Sequence, residues 1–230
     1  MIVNNVRELA GVIDHTLLKP EATSEQIRRL CEEAKQYGFH TVFTNPKWTP
    51  VVAELLHGTQ VDVGGVVSFP VGADFTKIKV AGAKELIMAG ADEIDMVADI
   101  AAIIEGDEKY LARQLEAVCK LCHSMRPKVV LKVIIEAGAL TREQKIFVCQ
   151  IADKVGVDFV KTSTGMHRAG GATVEDVKLM KEYALHCSIK ASGGIHMAKQ
   201  ALEMLAAGAD RIGTSSGVQI IEQYEAGQTK

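Results

Sequence analysis

The stretch Met88-Ala89-Gly90-Ala91-Asp92-Glu93-Ile94-Asp95-Met96-Val97 decides the fold. Related patterns occur at 154–161 and 206–213, and a looser one at 37–43. In each copy a glycine ends a helical pattern, where its freedom to adopt a left-handed conformation suits the cap. An apolar strand pattern begins within a few residues. The repeat therefore predicts helices that lead directly into parallel strands.

Eight strand patterns alternate with helical ones along the 230 residues. Capping-box sequences mark helix starts at 23–26 and 141–144, with a variant at 173–176. Strict alternation predicts an α/β fold, a single (β/α)8 TIM barrel over residues 1–230 with an extra N-terminal helix. An open doubly wound sheet is the alternative, but the G-x-G-x-x-G loop typical of it does not occur. The strands are expected at 12–15, 41–44, 61–69, 93–97, 129–136, 159–163, 188–191 and 211–214.

Composition argues against several functional classes. The chain is 47% hydrophobic with a formal net charge of -3, and its charges are interspersed, so no nucleic-acid or membrane surface is expected. The first residues do not resemble a signal peptide, which favours a cytoplasmic protein. Among five cysteines, Cys119 and Cys122 form a C-x-x-C pair followed by His123. Without a second pair, reduced buried thiols are favoured over the alternative of a metal or redox site.

Two lysines lie where a solvated cation would be out of place. Lys161 and Lys190 are inside short apolar runs, the sixth and seventh predicted strands. Inward-pointing side chains on neighbouring strands would come within about 5 Å, and the repulsion could lower one pKa towards about 8. A neutral lysine forms Schiff bases with carbonyl compounds. The alternative is that each lysine pairs with a carboxylate, Asp95 or Glu136, and only stabilises the barrel.

Asp95 alternates with Ile94 and Met96. If those two pack against helices, Asp95 points into the barrel beside the lysines, either as a proton relay or as a neutralising charge. Glycine and serine clusters at 170–171, 193–194 and 215–217 follow the last three strands. Loops there often bind phosphate in such barrels, so these clusters indicate an anion site.

Seven segments, in order and spread over nearly the whole chain, resemble the 2-deoxyribose-5-phosphate aldolase family. They are 13–20 (IDHTLLKP), 90–97 (GADEIDMV), 131–136 (LKVIIE), 158–165 (DFVKTSTG), 170–173 (GGAT), 190–195 (KASGGI) and 211–217 (RIGTSSG). The resemblance implies a class I aldolase, without metal or other cofactor, that reversibly cleaves 2-deoxy-D-ribose 5-phosphate to D-glyceraldehyde 3-phosphate and acetaldehyde. Its partners would be this sugar phosphate and the aldehyde, and a homodimer is expected by the same resemblance.

The resemblance also assigns roles. Lys161 would form the imine, and Lys190 would keep it deprotonated and share in proton transfer. Asp95 would act as acid and base with a water, and Asp14 and Lys132 would belong to the surrounding polar network. The residues expected to hold the substrate and its phosphate are Thr164, Gly171, Gly193, Gly194, Ser215 and Ser216.

The chain departs from the family pattern in several places. Met166-His167-Arg168-Ala169 replaces the usual residues before the Gly-Gly pair, and Phe43 stands where many members have cysteine. Ser68 replaces a common glycine, and Ala98-Asp99-Ile100-Ala101 replaces a frequent Asn-Ile-Gly run. The first change is either a tolerated solvated loop or a change in acceptor preference. The alternatives to the leading function are the same imine chemistry on another phosphorylated substrate and a non-catalytic phosphate-ligand-binding barrel. Residues 225–230 are expected to be a frayed tail or a lid.

Overall fold

The computed structural model describes residues 3–228, in which β-strands and α-helices alternate as predicted. The strands are β1 (Ile13–Leu17), β2 (Thr41–Thr44), β3 (Asp62–Val67), β4 (Glu93–Val97), β5 (Val130–Ile134), β6 (Phe159–Lys161), β7 (Ser188–Ser192) and β8 (Arg211–Thr214). The helices are α1 (Val6–Ala10), α2 (Ser24–Tyr37), α3 (Thr49–Leu56), α4 (Thr76–Met88), α5 (Ile100–Glu105), α6 (Glu108–Ser124), α7 (Arg142–Val155), α8 (Val174–Tyr183), α9 (Ala198–Ala207) and α10 (Gly217–Gln228).

The eight strands form one closed parallel barrel in chain order. β1 pairs with both β2 and β8, and Ile13 lies opposite Ile212 where the barrel closes. The (β/α)8 barrel and the additional helix before β1 are therefore confirmed. Since parallel strands all end at the same rim, the residues that follow each strand come together there.

Some strands are shorter than the sequence predicted. β3 ends at Val67 because Ser68 adopts a left-handed conformation with a φ of 56°. Glu136, at a φ of 54°, does the same two residues after β5. Such a conformation is uncommon for residues other than glycine, and neither residue carries the usual sequence signal for it. The C-terminal segment also differs from the frayed tail or lid expected at 225–230. Helix α10 continues through Gln228, and residues 229–230 lie outside the described residues.

Helix ends follow the sequence signals closely. Thr23 and Thr141 each cap a helix in a complete capping box with the glutamine three residues later. Gly38 and Gly156 end their helices in the left-handed conformation, at φ values of 70° and 81°. In α2 the apolar residues Ile27, Leu30, Cys31 and Ala34 form the buried face. Local signals thus set where each helix starts, stops and packs.

The strands separate two different interiors. Ile94 and Met96 are fully buried in the apolar layer between strands and helices. Glu93 and Asp95, which alternate with them, are also buried and contact residues on other strands across the barrel. This places charged groups in the lumen and hydrocarbon outside it, as the alternation around Asp95 predicted.

The five cysteines are all free and buried. Cys119 Sγ lies 3.6 Å from His123 Nδ1, whose ring also contacts Asp158. Burial raises the pKa of Cys122 to about 12. That keeps it a thiol at neutral pH, which favours the reduced-thiol interpretation of the C-x-x-C pair. Within residues 3–228, no helix is both long and apolar enough to cross a bilayer.

Candidate active site

The lumen of the barrel holds a column of charged side chains. Seven ionisable groups lie there, all buried and in contact with one another: Asp14, Glu93, Asp95, Lys132, Lys161, Lys190 and Arg211. Three are carboxylates and four are cations. With every group ionised the column carries one excess positive charge, which is costly in a dry interior. If one lysine lost its proton, the column would carry no net charge.

Asp95 joins the two lysines of the sixth and seventh strands. Its Oδ2 accepts a hydrogen bond from Lys161 Nζ at 2.6 Å and another from Lys190 Nζ at 2.7 Å. Two nitrogens that share one oxygen at these distances lie within about 5.3 Å of each other. Burial opposes ionisation of Asp95, but the adjacent lysine charges outweigh it and hold its pKa well below the usual range.

Lys190 carries the lowered lysine pKa that the sequence predicted for one member of the pair. Its pKa is about 8, and burial is the main cause, with help from the charges of Lys161 and Lys132. Asp14 lies 2.5 Å from its Nζ and, together with Asp95, opposes the shift. Repulsion between the lysines was the expected main cause, whereas in the structure the removal of water has the larger effect.

The lower part of the column contains two residues that the sequence analysis did not single out. Glu93 pairs with Lys132 at 2.5 Å, and Arg211 bridges from Glu93 to Asp14, 2.7 Å from the latter. Despite its burial, the pKa of Asp14 is lowered to about 2 by Lys190 and Arg211. Glu93 stands two residues before Asp95, so the same alternation that placed Asp95 inside could have placed it there as well.

Phe43 forms an aromatic wall beside these cations. Its ring centroid lies 3.8 Å from Lys190 Nζ and 4.6 Å from Lys132 Nζ. The ring fits because its neighbour on β3 is Gly64, where a Cβ would come within 2.6 Å of it. The negative face of an aromatic ring attracts an ammonium group. Phe43 therefore favours the charged form of Lys190 while keeping water away from it.

A cavity of about 340 Å³ opens at the C-terminal rim of the barrel. Five of the predicted site residues line it: Lys161, Thr164, Gly193, Gly194 and Ser215. Lys132 and Lys190 lie deeper and are absent from its wall, within the part of the chain described here. Lys161 is thus the lumen lysine that reaches both the cavity and Asp95.

The remaining predicted ligand residues support the cavity from behind. Gly171 packs so closely on Gly193 that a Cβ there would lie 2.0 Å from the Gly193 carbonyl oxygen. Ser216 contacts the imidazole of His196, a cavity residue that the sequence analysis missed, at 3.0 Å. The Thr164 hydroxyl donates to Glu136 at 2.6 Å. Glu136 thus pairs with Thr164, and of the two carboxylates named in the alternative it is Asp95 that pairs with the lysines.

The atypical loop at 166–169, after β6, has one side chain in the cavity wall and others in solvent. Met166 lines the cavity wall and its N–H donates to Thr164 Oγ1 at 3.0 Å. Arg168 is exposed and does not line the cavity. The side chain that meets a ligand at this point is therefore a thioether rather than a guanidinium.

The ring of Phe43 should raise the pKa of Lys190 measurably. Phe43→Leu removes an attraction worth about 0.5–2 kcal/mol, so that pKa is expected to fall by roughly 0.5 to 1 unit. A ¹³Cε NMR titration of lysine-labelled protein measures it. Phe69→Leu is the matched control, because Phe69 packs against the same apolar cluster as Phe43. If the pKa of Lys190 fell no further in Phe43→Leu than in Phe69→Leu, or if it rose, the ring of Phe43 would not be stabilising the charged lysine.

The shared carboxylate should stabilise the fold. Asp95→Asn is expected to lower the free energy of unfolding by about 3–5 kcal/mol at pH 7, because buried ammonium groups lose their counter-charge. Without this counter-charge the pKa of Lys190 should fall further below about 8, so the deficit should shrink as pH rises towards about 8, where Lys190 loses its proton in both proteins. Urea unfolding measures both. Glu136→Gln, at a buried carboxylate facing a threonine, should cost less and show no such recovery.

Comparison with known proteins agrees with this geometry. Residues 9–223 match the model of the DeoC/LacD family aldolases. The deoxyribose-phosphate aldolase of Aciduliprofundum boonei is 52% identical over 96% of this chain and 99% of its own length. That of Thermococcus gammatolerans is 50% identical over 94% and 96%.

A solved structure extends the likeness to three dimensions. The tetrameric deoxyribose phosphate aldolase of Aeropyrum pernix superposes with a TM-score of 0.90 at 33% identity, over 96% of this chain and 93% of that one. The resemblance seen in the sequence is thereby confirmed. This chain belongs to the DeoC/LacD family of aldolases.

Proposed function

We propose that this aldolase reversibly cleaves 2-deoxy-D-ribose 5-phosphate to D-glyceraldehyde 3-phosphate and acetaldehyde through a Schiff base on Lys161. The names of the relatives support the substrate. One observation carries the mechanism: Lys161 reaches the cavity wall while its Nζ shares a buried carboxylate oxygen with a second lysine. A lysine that only stabilised the barrel would need no access to a cavity.

The proposed nucleophile is the neutral amine of Lys161. Lys190 has a pKa of about 8 and shares the Asp95 oxygen with Lys161, so near that pH the neutral Lys190 can take up the proton that Lys161 releases. An aldehyde entering the cavity meets Lys161 and not Lys190, and it reacts with the form in which the remaining proton is on Lys190. Reaction at Lys161 thus draws the pair into the productive arrangement.

The cleavage follows from this arrangement in balanced steps. Lys161 Nζ adds to the C1 aldehyde, and loss of water gives an iminium ion. Removal of the C3 hydroxyl proton then breaks the C2–C3 bond, which releases glyceraldehyde 3-phosphate and leaves an enamine. Protonation of the enamine at C2 and hydrolysis release acetaldehyde and regenerate the amine. The iminium nitrogen accepts the electron pair of the broken bond, which is the purpose of the Schiff base.

Asp95 and Lys190 are the groups placed to move these protons. Asp95 touches both lysine nitrogens and could act directly or through one water. Its low pKa makes it the carboxylate form at rest, and Lys190 is the adjacent source of a proton. Asp14 and Lys132 belong to the surrounding network that sets the charge on this pair.

The glycine loop after β7 suits the phosphate. Gly193 and Gly194 line the cavity with φ values of 88° and 75°, and without side chains they leave the backbone accessible to an anion. Ser215 lines the same cavity just before α10 begins. Helix N-termini attract anions, so these loops are proposed to hold the 5-phosphate, with Gly171 and Ser216 supporting them from behind.

The cytoplasm is the proposed location, because five free thiols suit a reducing compartment. The homodimer stays a prediction of the family resemblance.

Borohydride reduction in the presence of acetaldehyde should trap a covalent adduct on Lys161, seen by mass spectrometry of the digested protein. Lys161→Leu should lose both the adduct and cleavage of 2-deoxy-D-ribose 5-phosphate. Lys79 supplies the matched control, because it is also fully buried and its pKa is lowered to about 8. It lies outside the lumen, where its Nζ donates hydrogen bonds to the Val97 carbonyl and the Gln114 side chain. An adduct on Lys79 or Lys190 would overturn the assignment, and trapping without cleavage would favour another phosphorylated substrate or a binding role.

The trapping rate should depend on pH through the lysine pair. The pKa of Lys190 is about 8, so below that pH Lys190 is protonated and cannot take up the proton of Lys161. The rate of adduct formation should therefore rise about tenfold per pH unit and level off above about pH 8. Quenched-flow trapping from pH 6 to 9 measures this. A rate that falls as pH rises across this range would show that the reactive form is not the neutral amine.

A further inference from the structure

His15 is a buried histidine that the proposed reaction does not use. It alternates with Asp14 on β1, so it points away from the lumen and into the layer between strands and helices. Only 2% of the residue is exposed. Its Nε2 lies 2.8 Å from Oε2 of Glu33 on α2, and its ring packs on Phe39 with centroids 4.8 Å apart. The side chain of His15 is therefore buried and held by contacts with Glu33 and Phe39.

The ring has a defined protonation state. Glu33 is partly buried, but hydrogen bonds from His15 and Arg29 outweigh that burial and lower its pKa, so it is a carboxylate that can only accept. Burial lowers the pKa of His15, which is therefore neutral at pH 7. Its single proton is then on Nε2, facing Glu33, and Nδ1 presents a lone pair.

Nδ1 faces the start of α10. Among residues 3–228 this atom has no hydrogen-bond partner, although it is buried. A Cβ on Gly217, the first residue of α10, would lie 2.9 Å from Nδ1 and 3.0 Å from the Phe39 ring. The helix therefore begins in direct contact with the imidazole, at a position where only glycine fits. The first turn of a helix offers N–H groups that have no acceptor within the helix.

This contact lies directly behind the proposed phosphate loop. His15 is paired in register with Thr214, the last residue of β8, and only two serines separate Thr214 from Gly217. Thr214 Oγ1 accepts the N–H of Ser216 at 2.9 Å, and Ser215 lines the cavity. The position of these serines is thus set at one end by β8 and at the other by the seat of α10 on His15.

We propose that His15, held by Glu33, is a positioning residue for the phosphate end of the site. Its ring fixes where α10 begins and which way its first N–H groups and Ser215 face. The proposal rests on the phosphate site assigned above, and it gives α2 a part in substrate binding although α2 does not line the cavity.

The test separates phosphate binding from the chemistry at Lys161. His15→Leu should raise both KM for 2-deoxy-D-ribose 5-phosphate and the inhibition constant for inorganic phosphate by about three- to tenfold, the effect of losing the hydrogen bond to Glu33 that holds the ring in place. The rate of borohydride trapping with acetaldehyde, which involves no phosphate, should stay within about twofold of wild type. His15→Gln keeps an N–H donor near the position of Nε2, and with it the hydrogen bond to Glu33, so it should recover part of the affinity.

Glu33 gives a second, milder route to the same result. Its side chain is 23% exposed, so Glu33→Ala should fold even if His15→Leu does not, and it too should weaken phosphate inhibition. Glu33→Gln keeps an acceptor for Nε2 and should lie near wild type. His123→Leu is the matched control, because His123 also pairs with a carboxylate at 2.8 Å but at the amino-terminal end of the strands, beside Asp158.

The outcomes are distinct. Unchanged KM and phosphate inhibition in His15→Leu and Glu33→Ala, or an equal loss of trapping and phosphate affinity, would overturn the positioning role. If the change in KM reflected only the general loss of a histidine–carboxylate pair, His123→Leu would show the same change as His15→Leu. Failure of the proposed function itself would appear in the wild-type protein, as absence of cleavage or of inhibition by phosphate.

Discussion

One carboxylate oxygen shared by two lysines is the interaction on which the interior of this barrel depends. Asp95 Oδ2 accepts from Lys161 and Lys190, which belong to adjacent strands and lie opposite each other in register. Both amines are buried, Lys161 at 4% and Lys190 at 1% exposed, so each needs a counter-charge within the protein. The carboxylate supplies that charge to both lysines and so couples them to each other.

The same pair shows how a barrel gives different roles to equivalent positions. Lys161 extends to the rim and meets the cavity, whereas Lys190 Nζ lies against Asp14 and the face of Phe43. The local sequence does not distinguish the two lysines, since each lies in a short apolar strand. What separates them is the set of neighbours supplied by strands β1 and β2, which come from the other end of the chain and close the barrel next to β8.

The sequence predicted the architecture and the residues of the upper lumen, because both depend on local patterns: helix caps, apolar periodicity and alternation within β4. It did not predict the contacts made across the barrel. Arg211 reaches Glu93 from the opposite strand only after closure sets their relative height. The left-handed Ser68 and Glu136 were missed too, since their conformations follow from surrounding packing rather than from residue type.

A core built from ions has a thermal consequence. The cost of removing charged groups from water falls as temperature rises, whereas the stabilisation from burying hydrocarbon levels off. The column from Asp95 down to Glu93 and Arg211 therefore becomes relatively more favourable in hot surroundings. The ion pairs that hold the two lysine amines in place thus also favour stability at high temperature, without any enlargement of the apolar layer.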